Sequence, residues 1–306
     1  MKNSFWAAGK LLLFGEYLAL NGTDTLAIPL KFGQSLKVFP FEKPGIYWES
    51  KTNDNIWFKM QSNADLELIS FSSEQLSKRL ISILKLIFKE KMELFNQGLH
   101  FEVQSNFDLN WGFGSSSTLI SLLAQWSGVD PYRLLSHSFG GSGYDIACAT
   151  AHTPIIYNRN QHHVKRIELP NSITDNLLFV YSGKKQNSQN EIQKFESALV
   201  TETHLKEQQS IIQQASTAKT IEIWEDAISK NEQLISKLLQ RETLKSLNFK
   251  DYAYAIKSLG AWGGDFFMAT YREEQSARDY FNTLGYPIQF NYQEIIYNKN
   301  IITDEI

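Results

Sequence analysis

The segment Trp111-Gly-Phe-Gly-Ser-Ser-Ser-Thr118 lies between a predicted strand and a predicted apolar helix. Gly112 and Gly114 lack a Cβ atom, so the backbone there can adopt positive φ and approach a ligand closely. A helix that begins at the serines would direct unpaired N–H groups and the positive end of its dipole toward an anion. The serine hydroxyls could bond phosphate oxygens or complete a Mg²⁺ shell. The segment therefore predicts a polyphosphate site, although a turn with serine helix caps would have a similar sequence.

Two common nucleotide-binding patterns are absent from the sequence. No Gly-x-x-x-x-Gly-Lys-Ser/Thr stretch occurs, which argues against a P-loop fold. No Gly-x-Gly-x-x-Gly stretch follows an opening strand, which argues against a Rossmann fold. A polyphosphate site in this chain therefore requires another architecture.

A second glycine-rich segment, Gly140-Gly-Ser-Gly-Tyr-Asp-Ile-Ala-Cys-Ala149, places an acid at the start of an apolar helix. Asp145 could orient or deprotonate a substrate hydroxyl, or it could be an acid that the helix dipole favours. Lys10, next to Gly9 at the head of a predicted strand, could balance phosphate charge or be an ordinary surface lysine.

A third segment, Lys257-Ser-Leu-Gly-Ala-Trp-Gly-Gly-Asp265, contains a glycine turn. The sequence predicts a helix before it, at 251–259, and a strand after it, at 266–271. The turn could cover phosphates, but a helix C-cap glycine followed by a hairpin-like turn would look similar.

The remaining pattern predicts a strand-rich first half and a helix-rich second half. Predicted strands lie at 10–14, 34–39, 45–50, 55–59, 99–107, 154–157, 177–181, 266–271 and 288–292. Predicted helices follow the serines at 72–73, begin at the 112–117 cluster, and occupy most of 187–240. Because strands and helices do not alternate regularly, the predicted fold class is α+β.

Composition excludes several kinds of partner. The 306 residues include 30 basic and 33 acidic side chains, a formal charge of −3, so no basic field would attract nucleic acid or anionic lipid. Lys10, Gly15 and Glu16 interrupt the apolar N-terminal stretch, which does not read as a signal peptide or a membrane helix. The single cysteine, Cys148, cannot form an intramolecular disulfide, which fits a protein of a reducing compartment. We expect a cytoplasmic monomer or homodimer with a small-molecule substrate and no nucleic-acid or membrane partner.

Three segments, in this order, resemble the three motifs of the GHMP kinases, the superfamily of galactokinase, homoserine kinase, mevalonate kinase and phosphomevalonate kinase. They are Ala8-Gly-Lys-Leu-Leu-Leu-Phe-Gly-Glu-Tyr-Leu-Ala-Leu20, Gly112-Phe-Gly-Ser-Ser-Ser117 and Ser258-Leu-Gly-Ala-Trp-Gly-Gly264. The resemblance covers almost the whole chain. It implies an α+β GHMP kinase fold with a ribosomal-protein-S5-like, ATP-binding domain at residues 1–170 and a ferredoxin-like domain at 171–306.

Short matches within these segments most resemble phosphomevalonate kinases. Gly15-Glu-Tyr17 resembles their Gly-Glu-Tyr, Gly143-Tyr-Asp-Ile-Ala147 their Gly-Phe/Tyr-Asp-Val/Ile, and Gly263-Gly-Asp265 their Gly-Gly-Asp. Two features depart from the superfamily. Residues 132–138 contain no acid where mevalonate kinases have a magnesium-binding glutamate, and Trp262 replaces a small residue, which could narrow the pocket.

The resemblance also implies roles for single residues, with ATP and Mg²⁺ as cofactors. The residues expected to hold the ATP phosphates are Gly112, Phe113, Gly114, Ser115, Ser116 and Ser117. Ser116 would also lie near Mg²⁺. Lys10 and Asp145 would lie beside the accepting oxygen, where Asp145 either takes its proton or fixes its orientation. The residues expected to contact the substrate are Glu16, Tyr17, Ser142, Gly143, Lys184, Lys185, Ser188, Gly260, Gly263 and Gly264; the two lysines could also form an ordinary basic loop.

The implied activity is transfer of the γ-phosphoryl group of ATP to 5-phosphomevalonate in isoprenoid-precursor synthesis. One alternative is a mevalonate kinase or another GHMP kinase that acts on a sugar or alcohol. Another is a noncatalytic relative that binds a nucleotide or metabolite. The presence of Lys10, Ser116 and Asp145 together favours a catalyst.

Overall fold

The computed structural model describes residues 3–185, 191, 195 and 199–297. The strands are β1 (Ser4–Phe14), β2 (Asp24–Phe41), β3 (Ile46–Thr52), β4 (Asn55–Ser62), β5 (Leu68–Phe71), β6 (Gly98–Ser105), β7 (Ile155–Asn158), β8 (His163–Arg166), β9 (Leu177–Tyr181), β10 (Ile256–Leu259), β11 (Phe266–Thr270) and β12 (Gln289–Asn291). The α-helices in this part of the chain are α1 (Glu74–Glu90), α2 (Ser115–Ser127), α3 (Pro131–Ser136), α4 (Tyr144–Ala149), α5 (Asn171–Thr174), α6 (Glu202–Thr217), α7 (Ile221–Leu239), α8 (Leu244–Asn248), α9 (Glu274–Thr283) and α10 (Tyr292–Ile295). Short 3₁₀ helices lie at Leu18–Asn21 and Met92–Phe95. Among the described helices, none combines the length and the apolar character that crossing a lipid bilayer requires.

β1 to β8 form the larger of the two sheets. Its strand order is β5-β4-β3-β6-β2-β7-β8 with β1 paired to β2, and every pair is antiparallel except β3 with β6. In β6, Leu99, Phe101 and Val103 are buried while the residues between them are partly exposed. This alternation places one row of side chains on each face of the sheet. The buried row packs against α1 and α2 in one hydrophobic core.

β9 to β12 form a second, antiparallel sheet of order β10-β11-β9-β12. The chain passes from the first sheet to the second between Arg166 and Leu177. One hydrophobic core contains Phe14 of β1, Trp224 of α7 and Phe266 of β11, so elements of both sheets share it. The expected boundary at residue 170 lies in the connecting interval, and the division into two domains stays a prediction.

β1 runs directly against the segment that follows β6. The Lys10 N–H donates to Phe113 O at 3.0 Å. A Cβ at Gly9 would lie 2.7 Å from Phe32 O and 2.8 Å from Phe113 O, so this approach requires glycine. From the other side, the Thr118 hydroxyl donates to the Gln34 side chain of β2 at 2.7 Å. The start of α2 is therefore fixed against two strands.

The predicted α+β class is confirmed, and the predicted strands correspond to strands of the structure. The helix predicted at 251–259 is wrong, because Ile256–Leu259 is a strand of which all four residues are buried. A lysine is ordinarily exposed, so Lys257 gave no indication of a strand buried along its whole length. β5, β8 and α9 were not predicted. The helices predicted across 187–240 fall partly outside the described residues, and α6 and α7 occupy most of the described part.

Candidate active site

The glycine turn before α2 depends on glycine at two positions. Gly112 has φ 68° and Gly114 has φ 90°, both in the left-handed region. A Cβ at Gly112 would overlap the Asp265 carboxylate, and one at Gly114 would lie 2.7 Å from Ser117 Oγ. Because Gly114 directly precedes α2, the unpaired first-turn N–H groups of that helix lie beside the turn.

Lys10 extends from β1 to this turn. Its ammonium donates to Gly112 O at 3.1 Å and lies 5.8 Å from the centre of the Tyr144 ring. Burial alone would lower the pKa of Lys10, but the Tyr144 phenol and the carboxylates of Asp145 and Asp265 outweigh burial and raise that pKa above its ordinary value. Lys10 is therefore a fixed cation beside the turn at neutral pH.

Asp145 stands in the first turn of α4, directly after Gly143, which has φ 89°. Its Oδ1 accepts the N–H of Ile146 at 3.1 Å, and the Ser117 side chain also interacts with its carboxyl. Burial raises the pKa of Asp145 above its ordinary value, and the neighbouring Lys10 reduces that rise. The structure thus brings Lys10, Ser117 and Asp145 together next to the glycine turn.

The three serines that begin α2 differ in burial. Ser117 is buried, its hydroxyl donates to Gly114 O at 2.8 Å, and its side chain interacts with Asp145. Ser115 is half-buried, whereas Ser116 is exposed. The structure therefore places Ser117, rather than Ser116, against Asp145, and a magnesium contact at Ser116 stays a prediction.

Two side chains at this site were not assigned from the sequence. Asp265 follows the turn between β10 and β11, and its carboxylate lies against Gly112 and interacts electrostatically with Lys10. Tyr144 lies beside Lys10, with its ring centre 5.8 Å from the ammonium. Burial raises the pKa of Tyr144 to about 12, so the phenol is neutral at pH 7. Each could have been found from the sequence because it is next to a predicted site residue: Asp265 follows Gly264, and Tyr144 precedes Asp145.

The turn and loop residues expected to contact substrate lie on different sides of this site. Gly260, Gly263 and Gly264 form the turn between β10 and β11, which positions Asp265. Ser142 and Gly143 line a surface cavity of about 690 Å³ beside α3 and the 159–162 loop. Gly143 also directly precedes Tyr144, the first residue of α4, which bears Asp145.

The predicted basic substrate contacts follow β9. Lys184 and Lys185 are both exposed. The Lys185 ammonium donates to Leu109 O at 3.0 Å, on the segment that leads into the glycine turn. Lys185 is thus within the region of the turn, while Ser188 lies outside the described residues.

Glu16 and Tyr17, also expected to contact substrate, have buried structural partners instead. Glu16 is bonded to Lys257 and to Asn231, the latter at 3.3 Å. The Tyr17 hydroxyl accepts the N–H of Trp262 at 2.9 Å. Trp262, expected to narrow the pocket, is 8% exposed and packs in the core that both sheets share. These three side chains therefore connect parts of the fold rather than present a free face to a ligand.

The donor atoms of the site suit a magnesium–polyphosphate ligand. The carboxylates of Asp145 and Asp265 and the hydroxyls of Ser116 and Ser117 are hard oxygen donors of the kind that Mg²⁺ prefers. Because Gly112 and Gly114 have no side chains, the main chain of the turn lies directly against Asp265, Ser117 and Lys10 at the N-terminus of α2, the end of a helix that attracts anions. Lys10 adds a positive charge at the same place.

No family model matches the chain, and no curated protein matches its sequence. Solved structures do match its fold. The mevalonate kinase of Methanococcus jannaschii is 16% identical with a TM-score of 0.70, covering 95% of this chain and 98% of its own. The Streptococcus pneumoniae phosphomevalonate kinase in complex with phosphomevalonate and AMPPNP is 16% identical with a TM-score of 0.70, covering 95% and 100%. The Lactococcus lactis galactokinase complexed with galactose is 13% identical with a TM-score of 0.72, covering 97% and 94%. At these identities the similarity establishes the fold alone.

Proposed function

We propose that this chain, which has the GHMP kinase fold that its motifs resemble, is an ATP-dependent kinase of a small molecule. The supporting observation is that Lys10 and Asp145 meet at the glycine turn. The Lys10 ammonium lies 3.1 Å from Gly112 O and interacts electrostatically with Asp145. A glycine turn at a helix N-terminus binds anions, and phosphoryl transfer depends mainly on positioning and on neutralising charge.

Each group of the site has a chemical task in this proposal. The main chain and hydroxyls of residues 112–117 bind the ATP phosphates. The oxygen donors of the site would hold Mg²⁺ together with ATP, and the ion would neutralise phosphate charge. Lys10 stabilises charge on the transferred group and on the accepting oxygen. Because burial raises the pKa of Asp145, its carboxyl can take a proton from an alcohol or hold one next to an anionic acceptor.

We infer that 5-phosphomevalonate, in isoprenoid-precursor synthesis, is the acceptor. Its attacking atom would be a phosphate oxygen, which is ionised near neutral pH because the second pKa of a phosphate monoester is about 6. A strong base is then unnecessary, and cations near the acceptor matter more. Lys10 bonds Gly112 O of the glycine turn and Lys185 bonds Leu109 O just before it, so both ammonium groups are suited to that task. The similar S. pneumoniae enzyme was solved with phosphomevalonate, which supports the same acceptor here.

Mevalonate and sugars are the alternative acceptors, because mevalonate kinase and galactokinase share the fold. An assay of ADP release with phosphomevalonate, mevalonate, galactose and homoserine separates these cases. We expect turnover with phosphomevalonate and a loss of at least about 100-fold in Asp145→Asn and Lys10→Met. Exposed residues of the same types provide matched controls, Asp65→Asn and Lys250→Met.

The other possible results of this assay each lead to a different conclusion. Turnover with another acceptor alone would reassign the substrate and keep the kinase. Nucleotide binding without turnover on any acceptor would identify a noncatalytic relative. Full activity in Asp145→Asn would contradict the assigned site.

A further inference from the structure

A lysine is buried where elements of the two sheets meet. The side chain of Lys257, on β10, is 1% exposed. Its ammonium hydrogen-bonds the Glu16 carboxylate and, at 3.1 Å, the main-chain oxygen of Ser258. Glu232 Oε1, on α7, lies 3.7 Å from the same ammonium. We call the three charged residues, Glu16, Glu232 and Lys257, the buried cluster.

Neighbouring elements fix both carboxylates of the buried cluster. The Asn231 amide of α7 donates to Glu16 Oε2 at 3.3 Å, and the Gln208 amide of α6 donates to Asn231 Oδ1 at 2.9 Å. The N–H of Ser258 donates to Glu232 Oε1 at 3.2 Å. Hydrogen bonds therefore join the turn after β1, two helices and β10 in one buried network.

The charges of the buried cluster are balanced at neutral pH. Burial raises the pKa of Glu232 to about 8; Lys257 opposes that rise and Glu16 adds to it. Glu232 is therefore protonated at pH 7, and one ammonium faces one carboxylate. Removing either charged partner alone would leave an unpaired buried charge, which is strongly destabilising.

The buried cluster is connected to both sides of the candidate active site. Glu16 lies just beyond the end of β1, the strand that holds Lys10. Ser258 is followed by the turn between β10 and β11, which ends at Asp265. The Asp265 carboxylate lies against Gly112 and interacts with Lys10. The hydrogen bond from Trp262 N–H to the Tyr17 hydroxyl joins the same two turns a second time.

We propose that Lys257 is a positioning residue: by bonding Glu16 and Ser258 at once, it holds the turn that bears Asp265 at a set distance from Lys10 and the glycine turn. Lys257 touches no reacting atom in this proposal. It acts through Asp265 and through the end of β1. The expected loss of turnover rests on the proposed function, whereas the expected change in the position of the turn does not.

The test compares Lys257→Met, which keeps an unbranched side chain and removes the charge, with the double variant Glu16→Gln/Lys257→Met. The double variant leaves no unpaired charge, so we expect it to recover the stability that the single variant loses. We expect the turnover number per nucleotide-binding molecule to stay about 10- to 100-fold below wild type in both, because small misplacements of active-site groups have effects of this size. Lys237→Met, an exposed change on α7, is the control.

A role in folding alone predicts the opposite pattern. If the double variant recovered both stability and the wild-type turnover number, Lys257 would be merely structural and the proposal would be overturned. Measuring the double variant also keeps the test decisive where the single variant fails to fold.

Hydrogen exchange of the amides at 258–265 separates this proposal from the proposed function. We expect faster exchange there in the double variant, whether or not wild type phosphorylates any acceptor. Unchanged exchange would overturn the positioning role while leaving the kinase proposal intact. Faster exchange in a chain without kinase activity would support the positioning role and reject only the proposed function.

Discussion

Glu232→Gln should make the protein more stable, and increasingly so as the pH rises. Glu232 is 4% exposed on α7, and its pKa of about 8 in the folded chain compares with an ordinary value of 4.5. Between those two pH values the folded chain holds a proton on Glu232 that the unfolded chain has released. The folded state therefore binds more protons, and its stability falls as pH rises through this window. Glutamine has the same shape as glutamate and is neutral at every pH, so the Glu232→Gln protein does not lose stability as the pH rises through this window.

The size of the effect follows from the separation of the two pKa values. One pH unit corresponds to about 1.4 kcal/mol of differential stability. At pH 7 the substitution should stabilise the chain by about 3 kcal/mol, and above pH 8 by at most about 5 kcal/mol, where the effect levels off. Near pH 4.5 the two proteins should be equally stable. The Ser258 N–H can still donate to the glutamine oxygen, so the hydrogen bond at this position is kept.

Urea unfolding of wild type and Glu232→Gln at about one-unit pH intervals from 5 to 9 measures this difference. Glu207→Gln, an exposed change on α6, should show no such trend. A variant that is less stable than wild type by a similar amount at every pH would refute the reasoning. That result would mean that Glu232 is ionised at neutral pH and stabilises the fold as a partner of Lys257.

Three further predictions concern the glycine turn and its neighbours. Gly112→Ala should lower the free energy of unfolding by about 1–2 kcal/mol, because the backbone at this residue is left-handed. It should also weaken nucleotide binding, since the added Cβ would overlap Asp265. The control Gly285→Ala, at φ 87° with open space around it, should show only the loss of stability when both variants are compared by unfolding and nucleotide titration. Tyr144→Phe removes the hydroxyl that interacts with the Lys10 ammonium and should lower kcat/KM by about 10-fold; unchanged kinetics would show that the phenol does not hold Lys10 in place. Ser117→Ala should reduce kcat more than Ser116→Ala, because Ser117 is the serine that interacts with Asp145; the reverse order in steady-state assays would return the main serine role to Ser116.

The sequence was sufficient for the glycine turn and the two residues that meet there. Gly112 and Gly114 are informative because positive φ and close packing exclude other residues, and that restriction is visible in the residue type itself. Lys10 and Asp145 could be nominated because each lies in a glycine-containing segment that resembles a known motif. Their proximity, however, depends on β1 running against Phe113, which is a tertiary contact.

The sequence does not reveal which charged side chains are buried. Glu16 and Lys257 have charged side chains that a sequence places at the surface, yet each neutralises the other inside the fold. That pairing joins residues far apart in sequence, so no local pattern predicts it. Lys257 of this pair lies in the buried strand found where the helix at 251–259 was predicted, and the expected substrate contact of Glu16 stays a prediction. Asp265 was overlooked for a related reason, because its contact with Gly112 also depends on tertiary structure.

A catalytic role for this site requires that the Lys10 ammonium lie beside the phosphates of a bound nucleotide. Calorimetric titration of wild type and Lys10→Met with AMPPNP and with AMP, in the presence of Mg²⁺, tests this directly. We expect Lys10→Met to weaken AMPPNP binding by about 10- to 100-fold, as for loss of a charged hydrogen bond, and to leave AMP binding unchanged. Equal AMPPNP affinity in the two proteins would contradict the placement of the phosphates at this turn.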